Sequence, residues 1–453
     1  MVDRTYLLSD EQMKEFIVNG FVKLNTELSP QVHQRIYERT EEVFEKEGNP
    51  GNNVLPRVPE LGAVFEDPAV VGALSSVLGP DYVMHAHRHP HINRGPNEGG
   101  GWHKDSYWGF NKVRRHRTRW AMAFYYPQYT PVERGPTGIV PGSHYYNGHP
   151  SAEVGEEIPL WGEAGSLTIV HYDLWHRATP NVVEQPRYMV KFLFVRVEEP
   201  TAPTWEGKGA AWDTDNPMWN SVWNWHRGAA PANGGVEGNP EALLKALGSE
   251  DEMEALQAAY GLARGGQDIA ENLSALLGDE SDYVRRNAGY ALSAMDGQAV
   301  LALMEALSDA DVTRRATAAD VLGDIGRAAG DSEALLVNAL RDGEQAVRRN
   351  AAHALGTVGG SGQSAGALAE TLGREEDEWV RRYAALSMLR LGPAATDAVP
   401  QLKQVALTDP NRYVQAKSLE ALQRMGTSEA TSAAFEILQT LRWCPHTGIG
   451  SGF

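Results

Sequence analysis

Trp102-His103-Lys104-Asp105 is the stretch from which the rest of the chain can be read. Two imidazoles and one carboxylate form the smallest protein set that holds a ferrous ion on one face and leaves the opposite face open. His103 and Asp105 are separated by one residue. On a strand, residues i and i+2 point to the same side, so both can reach one metal. The third ligand has to come from elsewhere, and His176 is the best placed. It closes a polar turn after Ser166-Leu-Thr-Ile-Val170, an apolar run that reads as a buried strand. Arg187 opens the next strong strand candidate, Tyr188-Met-Val-Lys-Phe-Leu-Phe-Val195. A guanidinium there can form a bidentate pair with the carboxylate of a co-substrate bound at the metal.

Outward from this set, Trp120-Ala-Met-Ala-Phe-Tyr-Tyr126 alternates large side chains with alanines. Such alternation suits a double-sheet jelly roll whose inner face encloses a pocket. Tyr125 or Tyr126 is placed to donate to the co-substrate, and Arg119, at the head of the strand, points inward. Upstream, His85, His87, His89 and His91 alternate and Asn93 follows them. On a strand these share one face, so His91 or Asn93 is expected to touch co-substrate or substrate. Trp108 and the basic run Lys112 to Arg119 follow Asp105. They read either as an edge for an anionic substrate or as a solvated loop. His144, in the turn Pro141-Gly142-Ser143-His144, reads as structural.

These pieces, in this order, resemble the phytanoyl-CoA dioxygenase-type (PhyH) enzymes over residues 8 to about 196. The resemblance rests on five pieces. They are Leu8-Ser9-Asp10-Glu11-Gln12 to Asn19-Gly20-Phe21-Val22; Trp102-His103-Lys104-Asp105; Gly135-Pro136-Thr137-Gly138 into Pro141-Gly142-Ser143-His144; Ala164-Gly165-Ser166-Leu167 leading to His176; and Pro180-Asn181 leading to Pro186-Arg187. The resemblance implies a double-stranded β-helix (jelly roll, cupin-like) and dependence on Fe(II), 2-oxoglutarate and O2. It implies His103, Asp105 and His176 as iron ligands and Arg187 as the grip on the far carboxylate of 2-oxoglutarate. Thr137 stands where the family usually has Leu, which bears on the pocket wall and not on the ligands. Related halogenases lack the carboxylate ligand, so the presence of Asp105 favours hydroxylation.

The chain has 453 residues, a length natural for two or three domains. At 42% apolar and 22% charged residues it reads as a water-soluble globular protein, with no apolar run of membrane-spanning length. The first residues lack a basic-then-apolar signal pattern, and the single cysteine, Cys444, fits a reducing interior. A cytoplasmic location is therefore expected. The net charge of −18 argues against nucleic-acid or membrane-surface partners. Helices are expected from Asp10 to Asn19, with Ser9 and Gln12 as a capping box, from Pro30 to about Glu47, and from Asp67 to Leu78. Residues 201–239 are rich in Trp, Gly and Pro and read as a linker in which Met218 to His226 forms a short helix.

From residue 240 the composition shifts to Ala, Leu, Arg and Glu with helical period. Val284-Arg-Arg-Asn-Ala-Gly-Tyr-Ala-Leu292 recurs in altered form at Val312, Val347, Val380 and Val414, roughly every 28 to 35 residues. A weaker copy begins at Met253. This pattern resembles short HEAT repeats. Each unit is a helix pair with too little apolar area to stand alone, so stacking makes the core. The arginines after each valine are expected to bridge to acidic groups of neighbouring repeats. The domain reading is thus 1–200 oxygenase jelly roll with flanking helices, 201–239 linker, 240–430 all-α HEAT solenoid, and 431–453 docking tail. The array is a surface for a protein partner or for self-association, while the jelly roll acts on a small molecule. Two alternatives compete. One is a non-catalytic scaffold with a degenerate jelly roll. The other is a zinc hydrolase or isomerase on the same triad, which has no need of Arg187.

Overall fold

The computed structural model describes residues 2–105, 116–148, 155–207, 209–231, 234–236, 238–360 and 362–440. The chain forms two compact units. One holds the described residues up to Trp212 together with His226–Gly228. The other holds Asp213–Trp225 and the described residues from Ala229 onward.

The first unit begins with a helix over Asp10–Asn19. Ser9 accepts from the Gln12 N–H while Gln12 reaches back to the Ser9 backbone, as a capping box requires. The helix stops at Gly20, which takes a left-handed conformation (φ 79°); a Cβ there would lie 2.5 Å from Nδ1 of His144. Further helices follow over Pro30–Lys46, with proline in its first turn, and over Pro68–Leu78, capped by Asp67.

Among the described residues, eight strands make two antiparallel sheets. They are β1 (Phe21–Asn25), β2 (Val83–Asn93), β3 (Trp120–Tyr125), β4 (Thr137–Ile139), β5 (Ile158–Pro159), β6 (Ser166–His171), β7 (His176–Ala178) and β8 (Arg187–Val195). The larger sheet runs β1-β6-β3-β8-β2 and the smaller β5-β4-β7. Two sheets with this interleaved order are the jelly roll expected from the alternation in β3.

Register decides which side chains share a face of the large sheet. Phe124 on β3 lies opposite Lys191 on β8 and Thr168 on β6, and Met122 lies opposite Leu193 and Val170. On β2, His89, His91 and Asn93 lie opposite Lys191, Met189 and Arg187. Because side chains alternate, one face of the large sheet carries Met122, Phe124, His89, His91, Asn93, Arg187, Met189 and Lys191. The other face carries Tyr125, Phe192 and Phe194. It packs on the helices, with Phe65 lying 4.1 Å from Phe192 and 5.6 Å from Phe194 between ring centroids.

The second unit is helical. Every copy of the valine-headed motif starts the second helix of a pair: Asp282–Met295, Val312–Ile325, Gln345–Val358, Glu378–Leu391 and Arg412–Met425. Ser281, Asp311, Asp377 and Asn411 cap four of these with their side chains. Some of the arginines bridge to the next repeat as expected, while Arg285, Arg314 and Arg382 pair with Asp282, Asp309 and Glu378 of their own repeat. Arg315 reaches Asp342 at 2.9 Å, Arg348 reaches Glu375 at 2.9 Å, Arg349 pairs with Asp377, and Arg381 reaches Asp409 at 2.7 Å. Arg381 and Asp409 are nearly inaccessible to water. Removing only the carboxylate leaves a buried cation, so Asp409→Ala is expected to destabilise the repeat unit by about 3 kcal/mol, read as an earlier urea transition. Among the described residues no helix is long and apolar enough to cross a membrane. Residues 441–453, with Cys444 and His446, lie outside the described residues.

Candidate metal centre and co-substrate pocket

His103 forms no extended strand. It makes a single antiparallel bridge with His176, in which the His103 N–H donates to the His176 carbonyl at 3.1 Å and the reverse bond is 3.0 Å. Residues paired in this reciprocal way lie directly opposite each other with side chains on the same face. This explains how a histidine so distant in sequence meets the His-x-Asp stretch. The two rings lie 4.4 Å apart between centroids. Lys104 points the other way, donating to the carbonyls of Ser143 (3.0 Å) and Tyr146 (2.5 Å), so His103 and Asp105 share the opposite side. The ligand atoms of His103, Asp105 and His176 all lie within 4.8 Å of one another.

Both imidazoles are held in one tautomer. Nδ1 of His103 bonds the Gly101 carbonyl at 3.0 Å, and Nδ1 of His176 bonds the Leu174 carbonyl at 2.9 Å. A carbonyl only accepts, so each Nδ1 carries the proton and each Nε2 presents a lone pair. Burial pushes the His176 pKa down, to about 4, against the pull of Asp105, so that lone pair is free at neutral pH. Burial pushes the Asp105 carboxyl up. The Lys191 ammonium, with His176 and His103, overrides this and holds it well below the usual carboxylate range. This donor set fits a divalent transition metal: two imidazoles fixed through Nδ1 and one ionised carboxylate.

Arg187 is 2% exposed and its Nε donates to the Gly135 carbonyl at 2.8 Å. Among the described residues no carboxylate pairs with it. Its guanidinium lies 5.9 Å from the Tyr126 ring centre. Gly135 has φ +66°, and a Cβ there would strike Nδ2 of Asn93 at 2.4 Å, so the glycine-rich turn has to be glycine at this point. His91 ties the two ends of the pocket together. Its charge state responds to Lys191 and Arg187 and to Asp105, and burial with these cations keeps it neutral. Its Nε2 is buried without a hydrogen-bond partner.

Other sequence candidates stand elsewhere. Tyr125, expected to reach the co-substrate, faces the helices. It is one residue out of register with Phe124, and its hydroxyl bonds Nδ1 of His33 at 2.7 Å. Tyr126 has the inward parity and accepts the Thr137 N–H at 2.8 Å. Among the described residues its own hydroxyl proton has no acceptor. Tyr125→Phe is therefore expected to cost about 1 kcal/mol of stability and to leave co-substrate affinity unchanged, as thermal melts and ligand titration would show. Asn93 is on the inner face, but its amide donates to the carbonyls of Gly135 (3.0 Å) and Thr179 (3.1 Å), so it braces the turn around Arg187. Arg119, expected to point inward, has the parity of Ala121 and Tyr125 and not of Phe124, and Glu199 holds it on two nitrogens at 2.7 and 2.8 Å. Trp108 and the run to Arg115 lie outside the described residues. His144 is structural: Nε2 meets the Ile17 carbonyl at 3.2 Å and the ring lies tilted against that of His171, 4.8 Å away between centroids. Lys191 was missed from sequence. A lone lysine inside the apolar run Tyr188–Val195, with the same parity as Arg187, was the available signal.

Residues 16–189 match the family model described as phytanoyl-CoA dioxygenase (PhyH), and residues 240–314, 300–390 and 365–442 match HEAT repeats. No curated protein sequence matches the chain. Among solved structures, it is similar to EctD from S. alaskensis with 2-oxoglutarate and 5-hydroxyectoine, at 16% identity over 42% of this chain and 77% of that one, with a TM-score of 0.36. It is similar to the non-heme alpha-ketoglutarate-dependent carbocyclase SnoK from nogalamycin biosynthesis, at 20% identity over 44% and 88%, TM-score 0.36. A third is AviO1 from Streptomyces viridochromogenes Tue57, at 16% identity over 43% and 96%, TM-score 0.34. On the family matches, the chain carries a phytanoyl-CoA dioxygenase (PhyH) domain over residues 16–189, followed by HEAT repeats over residues 240–442.

Proposed function

We propose that the jelly roll, residues 1–200, is an Fe(II)- and 2-oxoglutarate-dependent oxygenase. It hydroxylates a C–H bond of a small molecule while 2-oxoglutarate and O2 become succinate and CO2. The observation that carries this reading is Arg187. A guanidinium sunk in the sheet with no carboxylate beside it among the described residues calls for an anionic ligand, because an uncompensated buried charge is costly. A zinc hydrolase on the same triad would have no use for it.

His103, Asp105 and His176 would hold the metal through Nε2, Nε2 and one carboxylate oxygen. When bound, ferrous iron with 2-oxoglutarate supplies the oxidising chemistry that side chains lack. Arg187 and the free hydroxyl proton of Tyr126 would take the far carboxylate. Neutral His91, between the two ends, has an unpartnered Nε2 for a further polar contact. Phe124, whose ring lies 5.5 Å from that of His176 between centroids, would keep stray water from the metal position and so strengthen each charged contact there. The two activities of the chain would divide within residues 201–239, with the repeat array serving as an interaction surface for a protein partner or a second copy.

The test is to incubate the full chain with Fe(II), 2-oxoglutarate and O2 and a panel of small molecules. Succinate formation that rises with one class of compound, together with a product heavier by one oxygen, supports the reading. Iron-loaded protein that consumes no 2-oxoglutarate with any of them contradicts it.

A further inference from the structure

The inner face of β8 is charged at two points, Arg187 and Lys191. Lys191 is 6% exposed. It lies directly opposite Phe124 on one neighbouring strand and His89 on the other. Burial and the charge of Lys191 itself lower the His89 pKa, so His89 does not compete as a cation. The Lys191 Nζ donates to Oδ2 of Asp105 at 2.6 Å, and the other oxygen, Oδ1, faces Nε2 of His176 at 3.9 Å. Among the described residues Lys191 is the only hydrogen-bond donor to the Asp105 carboxylate.

A carboxylate can bind a metal through one oxygen or through both. With both, the triad would fill four of the six positions of an octahedral ion. Two would remain, and a chelating keto acid would take them all. With one oxygen, three remain, which is what the proposed chemistry needs. We propose that Lys191 is a positioning residue: by engaging Oδ2 it makes Asp105 a single-oxygen ligand through Oδ1 and keeps the third position open. This rests on the metal-site reading above. A lysine that only neutralised a buried carboxylate would affect the stability of the metal-free protein and leave the number of open positions alone.

The experiment loads the full-length protein with Fe(II) and 2-oxoglutarate without oxygen, then adds nitric oxide as a probe for a vacant position. The visible band of the iron–keto-acid chelate and the paramagnetic resonance signal of the iron–nitrosyl are read separately. Wild type is expected to give both. Lys191→Met should keep the band and lose about tenfold of the nitrosyl signal, within the range for removal of an outer-shell partner. Lys191→Arg, which restores a donor to Oδ2, should recover most of it. An unchanged nitrosyl signal in Lys191→Met overturns the proposal. Absence of both signals in wild type overturns the metal-site reading and the proposal with it. A second measurement needs no variant. Infrared difference spectra of metal binding to wild type without 2-oxoglutarate should show widely split carboxylate stretches, the mark of single-oxygen ligation. Narrow splitting overturns the proposal.

Discussion

Arg187→Leu is expected to abolish tight binding of 2-oxoglutarate while leaving the metal-free protein as stable as wild type or more so. The two halves of this result come from one fact. Arg187 is a buried cation whose only polar bond among the described residues is from Nε to the Gly135 carbonyl. Replacing an unpaired buried charge by an apolar side chain of similar reach removes a desolvation penalty. On the proposed reading the co-substrate would, in contrast, lose a bidentate partner, a loss of about 2–5 kcal/mol and so of well over tenfold in affinity. Arg187→Lys should not rescue it, because a point charge on a flexible stem does not reproduce the planar fork. Isothermal titration with 2-oxoglutarate and a thermal melt of the apoprotein check the two halves. A variant that loses stability and keeps affinity would mean that Arg187 is a structural residue.

The second large effect is at His176. His176→Ala is expected to lower Fe(II) affinity by more than the roughly 10–100-fold seen for outer-shell partners, because it would remove one of the proposed ligands directly. The fold should survive. The backbone pairing between residues 176 and 103 uses N–H and C=O groups that alanine retains. The side chain meets the Leu174 carbonyl, the His103 and Phe124 rings, 4.4 and 5.5 Å away between centroids, and Asp105 Oδ1 at 3.9 Å, and none of these is a backbone pairing of the sheets. Equilibrium dialysis of iron against the folded variant, with circular dichroism to establish folding, gives the answer.

How far the sequence reaches is clearest at particular residues. His103 and Asp105 were legible because alternation on an extended chain is local, and the structure keeps them on one side with Lys104 on the other. The repeats were legible because the motif recurs, and each copy does open a helix. Choosing between Tyr125 and Tyr126 needed the register of β3 against β8, a long-range property that adjacent aromatic residues do not reveal. Asn93 was drawn to the site by the alternation of the histidine stripe and Arg119 by its place at the head of β3. Their partners, Gly135, Thr179 and Glu199, are distant in sequence and had no pattern to announce them. Lys191 was hidden for the opposite reason: it sits in an apolar run that reads as plain core. Its role emerges only when β8 is laid beside the His-x-Asp stretch.

The measurement that bears most directly on the central claim is anaerobic titration of the apoprotein with Fe(II) and then 2-oxoglutarate, followed in the visible spectrum. A charge-transfer band in wild type, absent in His103→Ala and weakened in Arg187→Leu, is the predicted result. Folded wild-type protein that binds no iron, or binds iron and gives no band with 2-oxoglutarate, would contradict the account and return the repeat surface to first place.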